Sequence, residues 1–246
     1  MDLRDLKIEF LEYIEIERGR SVKTVENYSR YLGKFLDFAG VDEPKRITDE
    51  IVRKYRLTLN RDDLNKKTQN YYLIALRAFL KYLARRGIES LPAERIELAK
   101  VGERSLDLIS EEELIRLIEA PEGVDLKSVR DKAILEMLFS TGLRVSELCG
   151  LKTGDLDLKK DEFSVRGKGQ KVRIVFLSNR AKEALKEYLD KRADMSEYLF
   201  VSVPRGVNAK IDDLPPLTSR SVERIVAHYA IKAGIGKKVT PHIIRH

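Results

Sequence analysis

Apolar residues recur at helical spacing through most of the chain, and the breaks in that rhythm divide it into elements. Leu3, Leu6, Phe10, Tyr13 and Ile14 share one face of a helix predicted over residues 2–18, with Gly19 as its stop. Ser21 starts a second helix, which carries Val25, Tyr28, Leu32, Phe35 and Leu36 on one face and ends before Gly40. The run Thr48-Asp-Glu-Ile51 is a capping signature, and it opens a third helix reaching about Leu59. A fourth extends from about Asn65 through Arg86 and is closed by Gly87. Four amphipathic helices on short connectors predict an all-helical N-terminal domain over residues 1–88.

Helical periodicity then fades from Ile88 to Asp107, a stretch that includes Pro92, so residues 89–107 are expected to be a linker. The second domain, residues 108–246, opens with the capping box Ser110-Glu-Glu-Glu113 ahead of Leu114, Leu117 and Ile118. Leu126 to Phe139 reads as a buried helix, and Thr141-Gly142 breaks it before a short helix from Val145 to Leu151. The period then shortens to that of a strand: Glu162–Arg166 and Val172–Leu177 flank Gly167-Lys168-Gly169-Gln170, which predicts an antiparallel hairpin. Ser178 caps a helix through Lys191, Tyr198 to Val203 is expected to be a strand, and Thr218 to Ala233 is a helix ended by Gly234. The expected fold class is mainly α with a small antiparallel β element.

Composition narrows the partners. Apolar residues make up 43% of the 246, enough for a real core, and a net charge of +7 favours polyanions. Because 47 basic residues stand against 40 acidic ones, distribution matters more than the sum. Cys149 is the one cysteine, which excludes an internal disulfide framework and a cysteine-based zinc site. The N-terminus has no apolar signal region, and no uninterrupted apolar run is long enough for a membrane, so a soluble, cytoplasmic protein is expected. Glutamine occurs only at Gln69 and Gln170 amid abundant Lys, Arg and Glu, which is compatible with growth at high temperature.

Four clusters carry candidate chemistry. The helix from Asn65 to Ile88 holds Lys66, Lys67, Arg77, Lys81, Arg85 and Arg86 and no acidic residue. Most charge runs are solvated faces, but a face without its own acids is not explained by i,i+4 pairing. Thr68, Gln69, Asn70, Tyr71 and Tyr72 add hydrogen-bonding and stacking groups, so this face is a candidate DNA contact. In Ser140-Thr-Gly-Leu-Arg144-Val-Ser-Glu147-Leu a glycine turn delivers Arg144 to a helix start, where guanidinium and backbone N–H groups favour a phosphate. Glu147, one turn on, either orients Arg144 or simply pairs with it.

Lys168 sits between two glycines at the hairpin tip, where it is either solvated turn sequence or an ammonium that can donate a proton to a substrate. Arg166, Lys171 and Arg173 make the hairpin basic and join the candidate DNA contacts. The last cluster is His242-Ile-Ile-Arg245-His246, which holds two of the three histidines. His242 and His246 have the i,i+4 spacing of helical zinc pairs, but no glutamate lies between them and Arg245 would set a cation beside the metal. No metal and no cofactor is expected. Two arginines, a lysine and a histidine suit charge stabilisation on a phosphate in flight.

The whole chain resembles the tyrosine recombinases of the Xer type, archaeal members above all. Thr141-Gly-Leu-Arg144-Val-Ser-Glu147-Leu is similar to that family's first-arginine box, Gly167-Lys168-Gly169 to its hairpin lysine, and Pro241-His242-Ile-Ile-Arg245-His246 to its H-x-x-R-H box, in the same order. The resemblance implies an N-terminal SAM-like core-binding domain and a C-terminal catalytic domain that clamp duplex DNA. It implies that Arg144 and Arg245 hold the non-bridging oxygens of the scissile phosphate and that Lys168 protonates the departing 5′ oxygen. His242 would assist proton transfer, and Glu147 would support Arg144 from behind. Two protomers would act on an inverted-repeat site and four in the synapse, resolving chromosome dimers.

The family's nucleophile is a tyrosine beyond the H-x-x-R-H box. All ten tyrosines here, Tyr13, Tyr28, Tyr31, Tyr55, Tyr71, Tyr72, Tyr82, Tyr188, Tyr198 and Tyr229, precede that box. A polypeptide of this sequence is therefore expected to bind DNA and not to cleave it. A mobile-element integrase, a non-catalytic DNA-binding regulator and a type IB topoisomerase are the competing readings, the compact helical N-terminal domain counting against the last.

Overall fold

The computed structural model describes residues 2–102, 107–167, 171–203 and 214–245, and by its contacts the chain divides into two units, Met1–Arg104 and Ser105–His246. The first unit contains α1 (Leu3–Ile16), α2 (Val22–Ala39), α3 (Asp49–Arg61) and α4 (Lys66–Arg85). Their starts are fixed by side chains that satisfy orphan N–H groups: Asp2 accepts from the Arg4 N–H, Thr48 from that of Ile51, and Asn65 from that of Thr68 at 2.8 Å. Leu3, Leu6 and Phe10 of α1, Leu32 and Phe35 of α2, Leu59 of α3 and Leu76, Phe79 and Leu83 of α4 are all buried in one core. Each such side chain contributes roughly 1.5–3 kcal/mol through removal from water, which holds short helices that would not persist alone.

The stretch expected as a linker begins by joining this core. Leu91, Ala93 and Ile96 are buried in it, and a single 3₁₀ turn spans Ala93–Arg95. Further on, Asn70 of α4 donates to the Ala99 carbonyl at 2.8 Å and accepts from the Ala99 N–H at 3.0 Å. The sequence carries no helical period there because the segment packs through isolated apolar residues in an irregular backbone.

The second unit is built around α6 (Leu126–Thr141), against which α5 (Glu111–Glu119) packs. The α6 helix is buried all round over residues 133–138: Ala133, Ile134, Leu135, Met137 and Leu138 are all fully buried. It also buries three charged residues, Arg130, Asp131 and Glu136. After α7 (Val145–Gly150) come β1 (Glu162–Arg166) and β2 (Val172–Phe176), an antiparallel pair in the register Phe163↔Val175 and Val165↔Arg173. Phe163, Val165 and Val175 face the core, and Val172, Ile174 and Phe176 are exposed on the other side. The unit is completed by α8 (Asn179–Asp190), α9 (Ser219–Lys232) and α10 (Pro241–Ile244).

No strand forms from Tyr198 to Val203, contrary to the sequence expectation; isolated bridges pair Lys152 with Tyr198 and Val201 with Pro216. The backbone of this stretch bonds to two separate segments, Leu199 N–H to Leu151 and Ser202 N–H to Pro215, so no ladder continues on either side. Arg192 takes up two of its carbonyls, those of Tyr198 and Leu199, and that of Ser196 just before it.

Candidate active site

Gly142 ends α6 in the left-handed conformation, with φ 58°, and its N–H closes onto Leu138. The reversal places Arg144 immediately before α7, in extended geometry. Glu147, in the first turn of α7, accepts the Arg144 backbone N–H at 2.9 Å and the Arg144 Nη1 at 2.8 Å. One carboxylate thus fixes both the helix start and the arginine side chain, which remains 48% exposed while that of Glu147 is only 6% exposed.

Arg173 of β2 meets the same carboxylate in a fork, Nη1 to Oε1 at 2.9 Å and Nη2 to Oε2 at 2.8 Å. The bonds from Arg173 outweigh burial, and with those from Arg144 they hold the Glu147 pKa far down, at about 2. Arg173, expected as a DNA contact, is therefore engaged with Glu147, 26 residues away in sequence. Helical i,i+3 spacing made the Arg144–Glu147 pair legible; only the fold brings Arg173 to it.

The hairpin begins at the same place. Gly167 N–H donates to the Lys171 carbonyl at 2.8 Å, and an added Cβ on Gly167 would lie 3.2 Å from both Arg173 Nη1 and Glu147 Oε1. Arg144, Glu147, Ser164, Arg166, Gly167 and Val172 line a common cleft of about 890 Å³. Arg166 and Lys171 are exposed. Lys168, the expected proton donor, lies outside the described residues, as does His246.

Arg245 reaches this region from the far end of the unit. It follows α10, which packs against α6 and α9 through the buried Pro241 and Ile244. Its Cγ lies 3.5 Å from where a Cβ on Gly142 would be, so both arginines come to one turn, Gly142 to Arg144. Thr240 has the extended backbone of an N-cap but forms no side-chain capping bond, and His242 is exposed. Among the described residues, no three His, Cys, Asp or Glu side chains gather as a metal-binding group.

On α4, Lys66 and Lys67 are exposed in the first turn and Arg77 is half-buried. The helix borrows acids from elsewhere, Glu94 lying 3.6 Å from Lys81 and Glu9 2.7 Å from Arg86. Arg85 donates to the Tyr13 hydroxyl at 2.9 Å. Thr68 gives its N–H to the Asn65 cap, and Gln69 donates to the Leu64 carbonyl at 2.6 Å, so these two stabilise the helix start.

Comparison with known proteins resolves the class of this arrangement. Residues 107–246 match the phage integrase family, and residues 8–87 match the phage integrase N-terminal SAM-like domain. The chain belongs to the phage integrase family, the tyrosine recombinases. It is 36% identical over 241 residues to tyrosine recombinase XerC of Thermodesulfovibrio yellowstonii, covering 96% of this chain and 79% of that protein. Identity to tyrosine recombinase XerA of Pyrococcus furiosus is 35% over 239 residues, with 97% and 76% covered. In fold it resembles a lambda integrase dimer bound to a COC′ core site, with a TM-score of 0.75 at 19% identity over 100% of this chain and 87% of that one. The mainly helical build with, among the described residues, one two-stranded antiparallel sheet is thus the fold of this family of DNA recombinases.

The integrase-matching unit contains three of the tyrosines. Tyr188 is fully buried and stacked on Phe200, and Tyr229 donates its hydroxyl to Asp131 at 3.3 Å. Burial, reinforced by the Asp131 charge, pushes the Tyr229 pKa up to about 12, which opposes the phenolate a nucleophile needs. Tyr198 lies in the bridge to Lys152.

Proposed function

We propose that this protein is a site-specific DNA strand transferase of the Xer type. The observation that carries this reading is the approach of Arg245 to Gly142, two residues before Arg144, whose side chain lines a cleft with Glu147 and the end of the hairpin. Arg144 and Arg245 hold the two non-bridging oxygens of the scissile phosphate and stabilise the charge of the pentacoordinate transition state. A tyrosine hydroxyl attacks phosphorus and passes its proton to His242, and the bond to the 5′ oxygen breaks as Lys168 protonates that oxygen. The product is a 3′-phosphotyrosyl link and a free 5′ hydroxyl, and attack by a 5′ hydroxyl reverses the step without a nucleotide.

We infer that a polypeptide of residues 1–246 grips DNA and does not cut it: all ten of its tyrosines precede His242, and Tyr188 and Tyr229 of the integrase-matching unit are buried. Two protomers occupy an inverted-repeat site and four form a synapse, and the cellular task is the resolution of chromosome dimers in the cytoplasm. The lambda integrase likeness, a dimer on a core site, supports the pairwise arrangement. Gel retardation against duplexes carrying inverted repeats and against scrambled duplexes tests it. The expected result is two successive shifted species on an inverted repeat and weaker, salt-sensitive binding to the scrambled DNA; equal binding to both would overturn site specificity.

A further inference from the structure

Glu147 is shared unequally between two arginines. Arg173 occupies both of its oxygens in a fork, whereas Arg144 gives it one guanidinium N–H, from Nη1. The share matters because a fork with Glu147 would turn the Arg144 guanidinium, with its fixed set of donors, away from any bound phosphate. In addition, Arg173 stands on β2 opposite Val165, and Gly167, the residue after β1, lies close against the ion pair. The same fork therefore ties the hairpin to α7.

We propose that Arg173 is a positioning residue for the phosphate site: by saturating Glu147 it leaves that carboxylate able to orient Arg144 but not to neutralise it, and it anchors the hairpin leading into Lys168 against the arginine turn. This rests on the reading of Arg144 and Arg245 as phosphate ligands. A lysine at position 173 keeps the charge but supplies no fork, so charge alone and geometry are separable.

The test uses the 246-residue polypeptide with inorganic phosphate as the probe, followed by NMR of arginine Nε–H groups, together with the carboxyl-carbon titration of Glu147. In the unsubstituted protein the Arg144 and Arg245 signals shift with phosphate. In Arg173→Lys the affinity read at Arg144 falls about tenfold, the size of one charge-assisted hydrogen-bond rearrangement. The Glu147 titration, at about 2 in the unsubstituted protein, moves upward in that variant. Unchanged phosphate affinity together with an unchanged Glu147 titration would overturn the proposal. If the unsubstituted protein gives no phosphate response, the phosphate-site reading fails, and the clamp is then judged by the Glu147 titration alone. Should Arg173→Lys not fold, the rotation of the Arg173 guanidinium in the unsubstituted protein decides: slow rotation about Nε–Cζ is expected, and free rotation would contradict the fork.

Discussion

Gly142 and Arg245 are brought close together across 103 residues of sequence: the Arg245 Cγ lies 3.5 Å from the position of a Cβ at Gly142, whose φ is 58°. That distance is ordinary van der Waals contact, so alanine at 142 fits the space, but it must adopt a left-handed conformation. Gly142→Ala should lower unfolding stability by about 1 kcal/mol through backbone strain. Denaturant midpoints of the two proteins check this, and a loss several times larger would mean that the contact with Arg245 is tighter than described.

Glu147 makes stability depend on acid. Its folded pKa of about 2 lies below the ordinary value of 4.5, so its contribution is fully present above about pH 4.5 and is lost as pH falls through 2. The upper bound is roughly 3 kcal/mol, from about 1.4 kcal/mol for each pKa unit. Glu147→Gln should be less stable at neutral pH, and the gap should close between pH 4.5 and 2. Urea midpoints measured across that range give the answer; a constant gap would separate Glu147 from the titration.

Arg130 and Asp131 form a buried pair at 2.6 Å, and Arg130 also donates to the Val201 carbonyl. Burial raises the Asp131 pKa against the pull of Arg130. Asp131→Ala should cost roughly 3–5 kcal/mol because it strands the arginine. Tyr229→Phe, which removes one hydrogen bond to Asp131, should cost only about 1 kcal/mol and leave DNA affinity unchanged. Comparing both variants by calorimetry and gel retardation tests the ranking; loss of DNA binding in Tyr229→Phe would give that tyrosine a functional role.

The helices were legible wherever a cap and an apolar stripe coincided, as at Asn65 for α4 and at Ser110–Glu113 for α5, where both halves of the capping box form. The hairpin was legible from alternation around a glycine turn. Tyr198 to Val203 misled because its apolar residues are buried by irregular backbone that bonds to two segments, which a period of two does not distinguish from a strand. The Arg144–Glu147 pair could be read from helical spacing, but neither the Arg173 fork nor the approach of Arg245 to Gly142 could, since both depend on contacts distant in sequence.

Lys66 and Lys67, exposed in the first turn of α4, are expected to neutralise DNA phosphates. Replacing both with alanine should weaken binding at all sequences and reduce the slope of log affinity against log salt by up to about 2. Fluorescence anisotropy across a salt series reads this directly, and an unchanged slope would return that turn to ordinary solvated surface.

Cleavage of a nicked suicide substrate is the most direct measurement of the phosphate grip by Arg144 and Arg245. It should compare the polypeptide ending at His246 with one extended by a tyrosine-bearing segment. The account predicts DNA binding without a covalent adduct for the first, a 3′-phosphotyrosyl adduct for the second, and loss of that adduct with retained binding in the extended Arg144→Ala variant. A covalent adduct formed by the polypeptide ending at His246, or undiminished adduct in the Arg144→Ala variant, would contradict it.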